Sequence, residues 1–164
     1  MSVAETIVLS AGGSGGHLFP AQALAGELAR RGKKIVVMTD SRGTSYTDAF
    51  PDAAIETVPS AAFSDRSALR LFSAPFEIGA GIVVALAKLA RIRPRAVVGF
   101  GGYPTVPIMI AAALSRLPTA ILEQNAVVGR ANRLVMNRMR VVAAAFPIAS
   151  IRVATASRGS PQNA

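Results

Sequence analysis

His17 is the one histidine of the chain, and it closes the run Ala11-Gly12-Gly13-Ser14-Gly15-Gly16-His17. An unperturbed imidazole changes charge near neutral pH, which suits it to removing a proton from a hydroxyl. Ahead of it stand four glycines and a serine hydroxyl. Glycines let a backbone approach a ligand closely, and a helix that follows them aims bare N–H groups and its positive end at an anion. The chemistry on offer is a phosphate or diphosphate cradle with a proton acceptor on its rim. The same residues also fit a tight strand-to-helix turn in which His17 hydrogen-bonds the loop facing it.

Two further clusters carry candidate groups: Gly101-Gly102-Tyr103-Pro104 and Glu123-Gln124-Asn125. The first loop fails two phosphate-binding templates. A dinucleotide fingerprint counted from Gly13-Ser14-Gly15 needs a third glycine where Leu18 stands, and a Walker A loop needs a lysine that is missing here. Asp40 nevertheless lies about twenty residues on, where a ribose-binding acid would sit, so an NAD-type domain stays as a rival reading.

The elements that would position these clusters alternate. Thr6–Ser10, Lys34–Thr39, Ala54–Val58, Arg95–Phe100, Pro118–Leu122 and Arg140–Ala145 read as six short, apolar strands. Helical spacing runs from about Leu18 to Arg31, with Pro20 in the first turn and Gly32 as the stop. A short helix is expected over 44–50. The pattern over Ala68–Arg91 is helical with a kink or break expected at Pro75, Gly79 and Gly81. Thr105 is placed to cap a helix over Val106–Ser115, and Gly129–Met139 forms the last helix.

Strands alternating with helices predict an α/β fold, a Rossmann-like doubly wound parallel sheet of about six strands. Ligands bind such sheets beyond the carboxyl ends of the strands, where strand order reverses. All three clusters follow strands, so they are expected to line one crevice.

Composition narrows the partners. Lysine and arginine outnumber acids by 18 to 9, a formal charge of +9 that favours something anionic. Aromatic residues make up 5% and tryptophan is absent, which leaves few stacking platforms and argues against nucleic acid. With no cysteine, disulfides and thiolate metal sites are excluded. The N-terminus lacks the pattern of a secretory signal. The stretch from Ala96 to Ser115 carries no charge and is long enough to span a bilayer, but Gly99, Gly101, Gly102, Pro104 and Pro107 divide it into strand, loop and helix.

Taken together, Gly12-Gly13-Ser14-Gly15-Gly16-His17-Leu18-Phe19-Pro20, Gly101-Gly102-Tyr103-Pro104 and Glu123-Gln124-Asn125-Ala126-Val127-Val128-Gly129-Arg130-Ala131-Asn132-Arg133 closely resemble the N-terminal domain of the MurG family of bacterial peptidoglycan glycosyltransferases. The resemblance covers roughly residues 5–150. It implies the N-terminal half of a GT-B fold, with residues 1–146 as the acceptor-side domain and 147–164 as linker or frayed tail. It also implies inverting transfer of N-acetylglucosamine from UDP-N-acetylglucosamine to the undecaprenyl-diphosphate-linked muramyl pentapeptide (lipid I to lipid II), with no cofactor and no bound metal.

By that resemblance Gly13, Ser14, Gly15 and Gly16 cradle a diphosphate, and Gly101, Gly102 and Tyr103 form a second glycine loop. Gln124 and Asn125 contact substrate, with Asn125 reaching the donor sugar. His17 becomes the candidate base and Glu123 an orienting acid. Leu122 departs from the family by replacing a histidine common before the Glu-Gln-Asn motif. On this resemblance, residues 1–164 are expected to hold neither the C-terminal donor domain nor the Gly-Asn-Pro-Val-Arg lead into it. A chain of this kind is expected to transfer sugar negligibly alone, and a separate donor-domain chain is a possible partner.

The resemblance also implies docking at the cytoplasmic face of the inner membrane as a peripheral protein. Leu71, Phe72, Phe76, Ile78 and Ile82, beside Arg66, Arg70, Lys88, Arg91, Arg93 and Arg95, are the residues expected to meet an anionic surface. The same stripe at helical spacing also reads as core. A non-catalytic diphosphate-lipid or membrane-binding module is the main rival to the transferase reading.

Overall fold

A computed structural model of the chain describes residues 5–12, 15–43, 48–60 and 68–146, with 68–74 described as helix backbone only. Gly13, Ser14, Arg66, much of the predicted 44–50 helix and the whole tail from Pro147 therefore lie outside the described residues, as do the side chains of Arg70, Leu71 and Phe72.

The elements run β1 (Thr6–Ser10), α1 (Gly15–Arg30), β2 (Lys34–Thr39), β3 (Ala53–Thr57), α2 (Ala68–Ile92), β4 (Ala96–Gly99), α3 (Thr105–Leu114), β5 (Thr119–Glu123), α4 (Arg130–Val135) and β6 (Val141–Ala144), with a 3-10 turn over Met136–Arg138. The six strands form one sheet in the order β3-β2-β1-β4-β5-β6. Every pairing is parallel. Strand order reverses between β1 and β4, which opens a crevice at their carboxyl ends.

Side-chain alternation along the strands fills both faces. On one face Leu9, Ile35, Val37 and Phe100 meet Leu18, Ala21 and Ala25 of α1. On the other, Val8, Met38, Val97 and Ile121 meet Ala85 and Leu89 of α2 and Ile108 and Met109 of α3. Helix α3 is apolar all round and buried along most of its length, which accounts for the charge-free stretch. Among the described residues no helix is long and apolar enough to cross a membrane.

Three local expectations are corrected. Helix α1 starts at Gly15 rather than near Leu18, so Pro20 lies in its second turn rather than its first. Helix α2 runs unbroken through Pro75, Gly79 and Gly81. Gly81 serves close packing instead: a Cβ there would sit 2.3 Å from the Pro59 carbonyl oxygen and 3.0 Å from the Pro107 side chain. Thr105 does not cap α3, whose N-cap is Pro104. Its hydroxyl donates to the Gly101 carbonyl at 2.8 Å and lies 3.3 Å from the Ser10 carbonyl.

Candidate functional site

The loops leaving β1 and β4 meet backbone to backbone. Gly12 N donates to the Gly101 carbonyl at 2.9 Å, and Phe100 N donates to the Ser10 carbonyl at 2.8 Å, extending the strand pairing past the strand ends. Gly101 and Gly102 adopt φ of 97° and 83°, a region that L side chains avoid. A Cβ on Gly102 would stand 2.7 Å from Gly12 Cα, and one on Gly12 would stand 2.9 Å from Gly102 Cα. The glycines are thus required by loop-to-loop contact, whatever else they touch.

His17 lies on this double loop, its ring about 3.0 Å from where a Gly101 Cβ would be. Its Nδ1 is 2.6 Å from Gln124 Nε2. The same amide nitrogen is 2.9 Å from the Gly16 carbonyl and 3.0 Å from the Phe100 carbonyl. Gly16 is the residue whose carbonyl would accept from position 20 in a regular helix. Pro20 has no N–H to give.

Gln124 therefore holds α1, β4 and the His17 ring together from the end of β5. The bond between His17 and the facing loop, one of the two sequence readings of this residue, is present at Nδ1.

Glu123 is 1% exposed. Its Oε1 accepts from Asn125 N at 3.0 Å and Asn125 Nδ2 at 2.9 Å, and its Oε2 accepts from Gly129 N and Asn132 Nδ2, both at 2.9 Å. Burial pushes this carboxyl up, but the hydrogen bonds from Gly129, Asn125 and Asn132 outweigh burial and hold it below the usual range. As an orienting acid, Glu123 acts on the two asparagines and the 125–129 loop; the residue that touches His17 is Gln124.

A cleft of about 430 Å³ opens beside these residues, lined by Gly12, His17, Gly101, Gly102, Tyr103 and Asn132, with Arg42 and Arg130 at its edge. Four of the residues singled out in the sequence (His17, Gly101, Gly102 and Tyr103) line it. Gly15 and Gly16 sit in the first turn of α1, Gln124 contacts His17 Nδ1, and Asn125 is exposed and does not line the cleft. Gly13 and Ser14 lie outside the described residues.

Asn132, Arg42 and Arg130 were missed as lining residues, although Arg130 and Asn132 fall within the third motif. Asn132 is 2% exposed, its Nδ2 is committed to Glu123, and its Oδ1 is buried without a hydrogen-bond partner. Leu122, at the position of the family histidine, is half-buried against the α1-side core.

Asp40, the acid that an NAD-type site would use, is occupied by its own loop. It accepts from Arg42 at 2.5 and 2.8 Å, from Ser60 at 3.0 Å and from the amides of Arg42 and Gly43. Burial raises this carboxyl, and Arg42 and Ser60 more than offset that.

On α2, Lys88 and Arg91 both pair with Glu56, so neither offers an unpaired charge to a surface. Phe76 is 82% exposed and Val83 66% exposed.

The six-stranded parallel sheet, doubly wound and with its cleft at the carboxyl ends of the strands, is the Rossmann-like fold of one half of a GT-B structure. The profile of the glycosyltransferase family 28 N-terminal domain matches residues 7–144, and the chain belongs to that family. An enzyme of Rhizobium meliloti named UDP-N-acetylglucosamine--N-acetylmuramyl-(pentapeptide) pyrophosphoryl-undecaprenol N-acetylglucosamine transferase is 47% identical over 140 residues, 85% of this chain and 37% of that protein. The identically named protein of Rhodospirillum centenum is 48% identical over 147 residues, 90% of this chain and 38% of the relative. The crystal structure of MurG from Acinetobacter baumannii superposes with a TM-score of 0.74 at 30% identity, covering 87% of this chain and 42% of that one. The chain spans about two fifths of the length of these relatives.

Proposed function

We propose that this chain is the acceptor-side half of an inverting N-acetylglucosaminyltransferase that converts lipid I to lipid II in peptidoglycan synthesis. The observation that carries the reading is the convergence of the three motif loops on one cleft, in a chain 46–48% identical to enzymes so named. The reaction is a single displacement. The acceptor hydroxyl oxygen attacks the anomeric carbon of UDP-N-acetylglucosamine, the bond to UDP breaks with the electron pair leaving on the diphosphate, and the hydroxyl proton passes to a base.

His17, Tyr103 and Asn132 are the groups that would meet the acceptor, with Arg130 offering positive charge to its diphosphate. Asn125, exposed beside the buried Glu123, is the residue that would reach the donor sugar. A donor-side domain would supply the opposite wall.

The exposed Phe76 and Val83 of α2, two turns apart, support docking of this half on an anionic leaflet as a peripheral protein at the cytoplasmic face of the inner membrane. The NAD-type reading is set aside, because the family assignment stands against it and Asp40 is already spent on its own loop.

The test is binding and turnover measured separately. The chain should bind a short-chain lipid I analogue, bind NAD negligibly, and transfer sugar only when the C-terminal domain of a relative is added. Robust transfer by the chain alone would sink the half-site reading, and failure to bind the lipid I analogue would sink the acceptor assignment.

A further inference from the structure

The amide of Gln124 has only one way to face. Its Nε2 end lies against two carbonyl oxygens, Gly16 O at 2.9 Å and Phe100 O at 3.0 Å. Turning the amide over would set an oxygen against both, three acceptors with no hydrogen between them. The Oε1 end is buried without a partner, an arrangement that persists only because the opposite end is so strongly specified.

The NH2 fixed at this point has two hydrogens for three neighbours; His17 Nδ1, the nearest at 2.6 Å, takes one, and the two carbonyls share the other. A proton on Nδ1 would be forced against the hydrogens of that NH2, so Nδ1 must be the bare, accepting nitrogen. In a neutral imidazole the proton is then on Nε2.

We propose that Gln124 is a positioning residue that locks His17 in the Nε2–H tautomer, so that His17 presents a hydrogen-bond donor to the cleft. No described group bonds Nε2, and His17 lines the cleft wall. The Nε2–H offers a donor to a ligand oxygen that bears a lone pair. This deepens the acceptor-half reading and rests on it only for the identity of the ligand. It also changes the role of His17: as a base, Nε2 would need its lone pair free, which requires the proton to move to Nδ1 and the Gln124 amide to withdraw.

Because the chain has a single histidine, the tautomer can be read without assignment ambiguity from the long-range proton–nitrogen correlation of the 15N-labelled, ligand-free chain. The expected spectrum shows a protonated Nε2 and a bare Nδ1. A spectrum of the Nδ1–H form, or of a fast-averaged mixture, would overturn the proposal.

In Gln124→Leu the ring should relax to a mixture of both tautomers, and an unchanged Nε2–H form would remove Gln124 from the role. Where that variant does not fold, the wild-type spectrum decides alone. The measurement precedes any substrate, so a transferase assay that fails would leave the tautomer result standing, and the reverse also holds.

Discussion

Gln124 supplies the hydrogen that Pro20 lacks. Inside α1 the proline leaves the Gly16 carbonyl without its helical donor, and the Gln124 side chain fills that place at 2.9 Å from the end of β5. A residue that looks like a helix blemish is thereby tied to the contact that orients His17.

This tie predicts non-additive stability. Gln124→Ala removes the two amide hydrogens that serve the Gly16 and Phe100 carbonyls and His17 Nδ1, and should cost about 2 kcal/mol. Pro20→Ala restores a helical N–H to Gly16, so it should recover part of that loss. Urea titrations of the two single variants and the double variant should give a coupling of about 1 kcal/mol. Strict additivity would show that Gly16 takes no part.

Acid should loosen the chain through its carboxylates. Glu123, Glu56 and Asp40 are all held below their ordinary values, 4.5 for the glutamates and 3.8 for the aspartate. A depressed folded-state value means that the stabilisation is fully present above the unfolded-state value and is lost as pH falls through the folded one. The denaturation midpoint should therefore hold steady from pH 7 to about pH 5 and drop below that. Glu123→Gln, which replaces a buried four-bond acceptor, should lower stability by about 2 kcal/mol at pH 7 and flatten the acid limb. An acid limb as steep as that of the unaltered chain would show that Glu123 adds nothing to it.

The glycines divide into two kinds, and one pair of substitutions separates them. Gly102→Ala combines a φ of 83° with a Cβ 2.7 Å from Gly12 Cα. It should destabilise the fold by about 2 kcal/mol. Gly16→Ala meets nothing within 4 Å, so the fold should tolerate it, with a gain of about 0.5 kcal/mol from helix propensity. If Gly16→Ala nevertheless weakens binding of a diphosphate probe, the missing side chain at that position serves the ligand. Calorimetry with inorganic pyrophosphate reads both effects.

The α2 surface can be tested on vesicles. Phe76→Ser with Val83→Ser removes two exposed apolar side chains and should reduce sedimentation with anionic phosphatidylglycerol vesicles several-fold, leaving the melting temperature nearly unchanged. Equal binding by the double variant would remove this helix from the membrane reading.

The sheet was largely legible because buried parallel strands announce themselves as short β-branched runs, such as Ile35-Val36-Val37, and glycine clusters mark their ends. The observed strands begin or end within about a residue of those expected, the usual looseness of such boundaries. What escaped depended on registers between distant elements. Glu123 and Gln124 are adjacent in sequence, yet one turns toward the 125–132 loop and the other toward α1, because alternation at a strand end sends neighbours to opposite sides. Nothing local distinguishes an acid that orients a histidine from one that gathers two asparagines. The unbroken α2 escaped for a related reason: Gly81 was weighed by its helix propensity, whereas its place is decided by the Pro59 carbonyl lying 2.3 Å from the position of its missing Cβ.

The Gly101 carbonyl oxygen receives two donors at once, Gly12 N at 2.9 Å and the Thr105 hydroxyl at 2.8 Å. Both lone pairs are spent, so Gly12 after β1, Gly101 after β4 and the start of α3 are tied together through one atom. This wall of the cleft behaves as a preformed mould. A ligand settling on it loses its own freedom but imposes little ordering on the protein. Changes in what the mould accepts would then come from the side chains set around it, Tyr103, Arg130 and Asn132, while the clamped loops stay as they are.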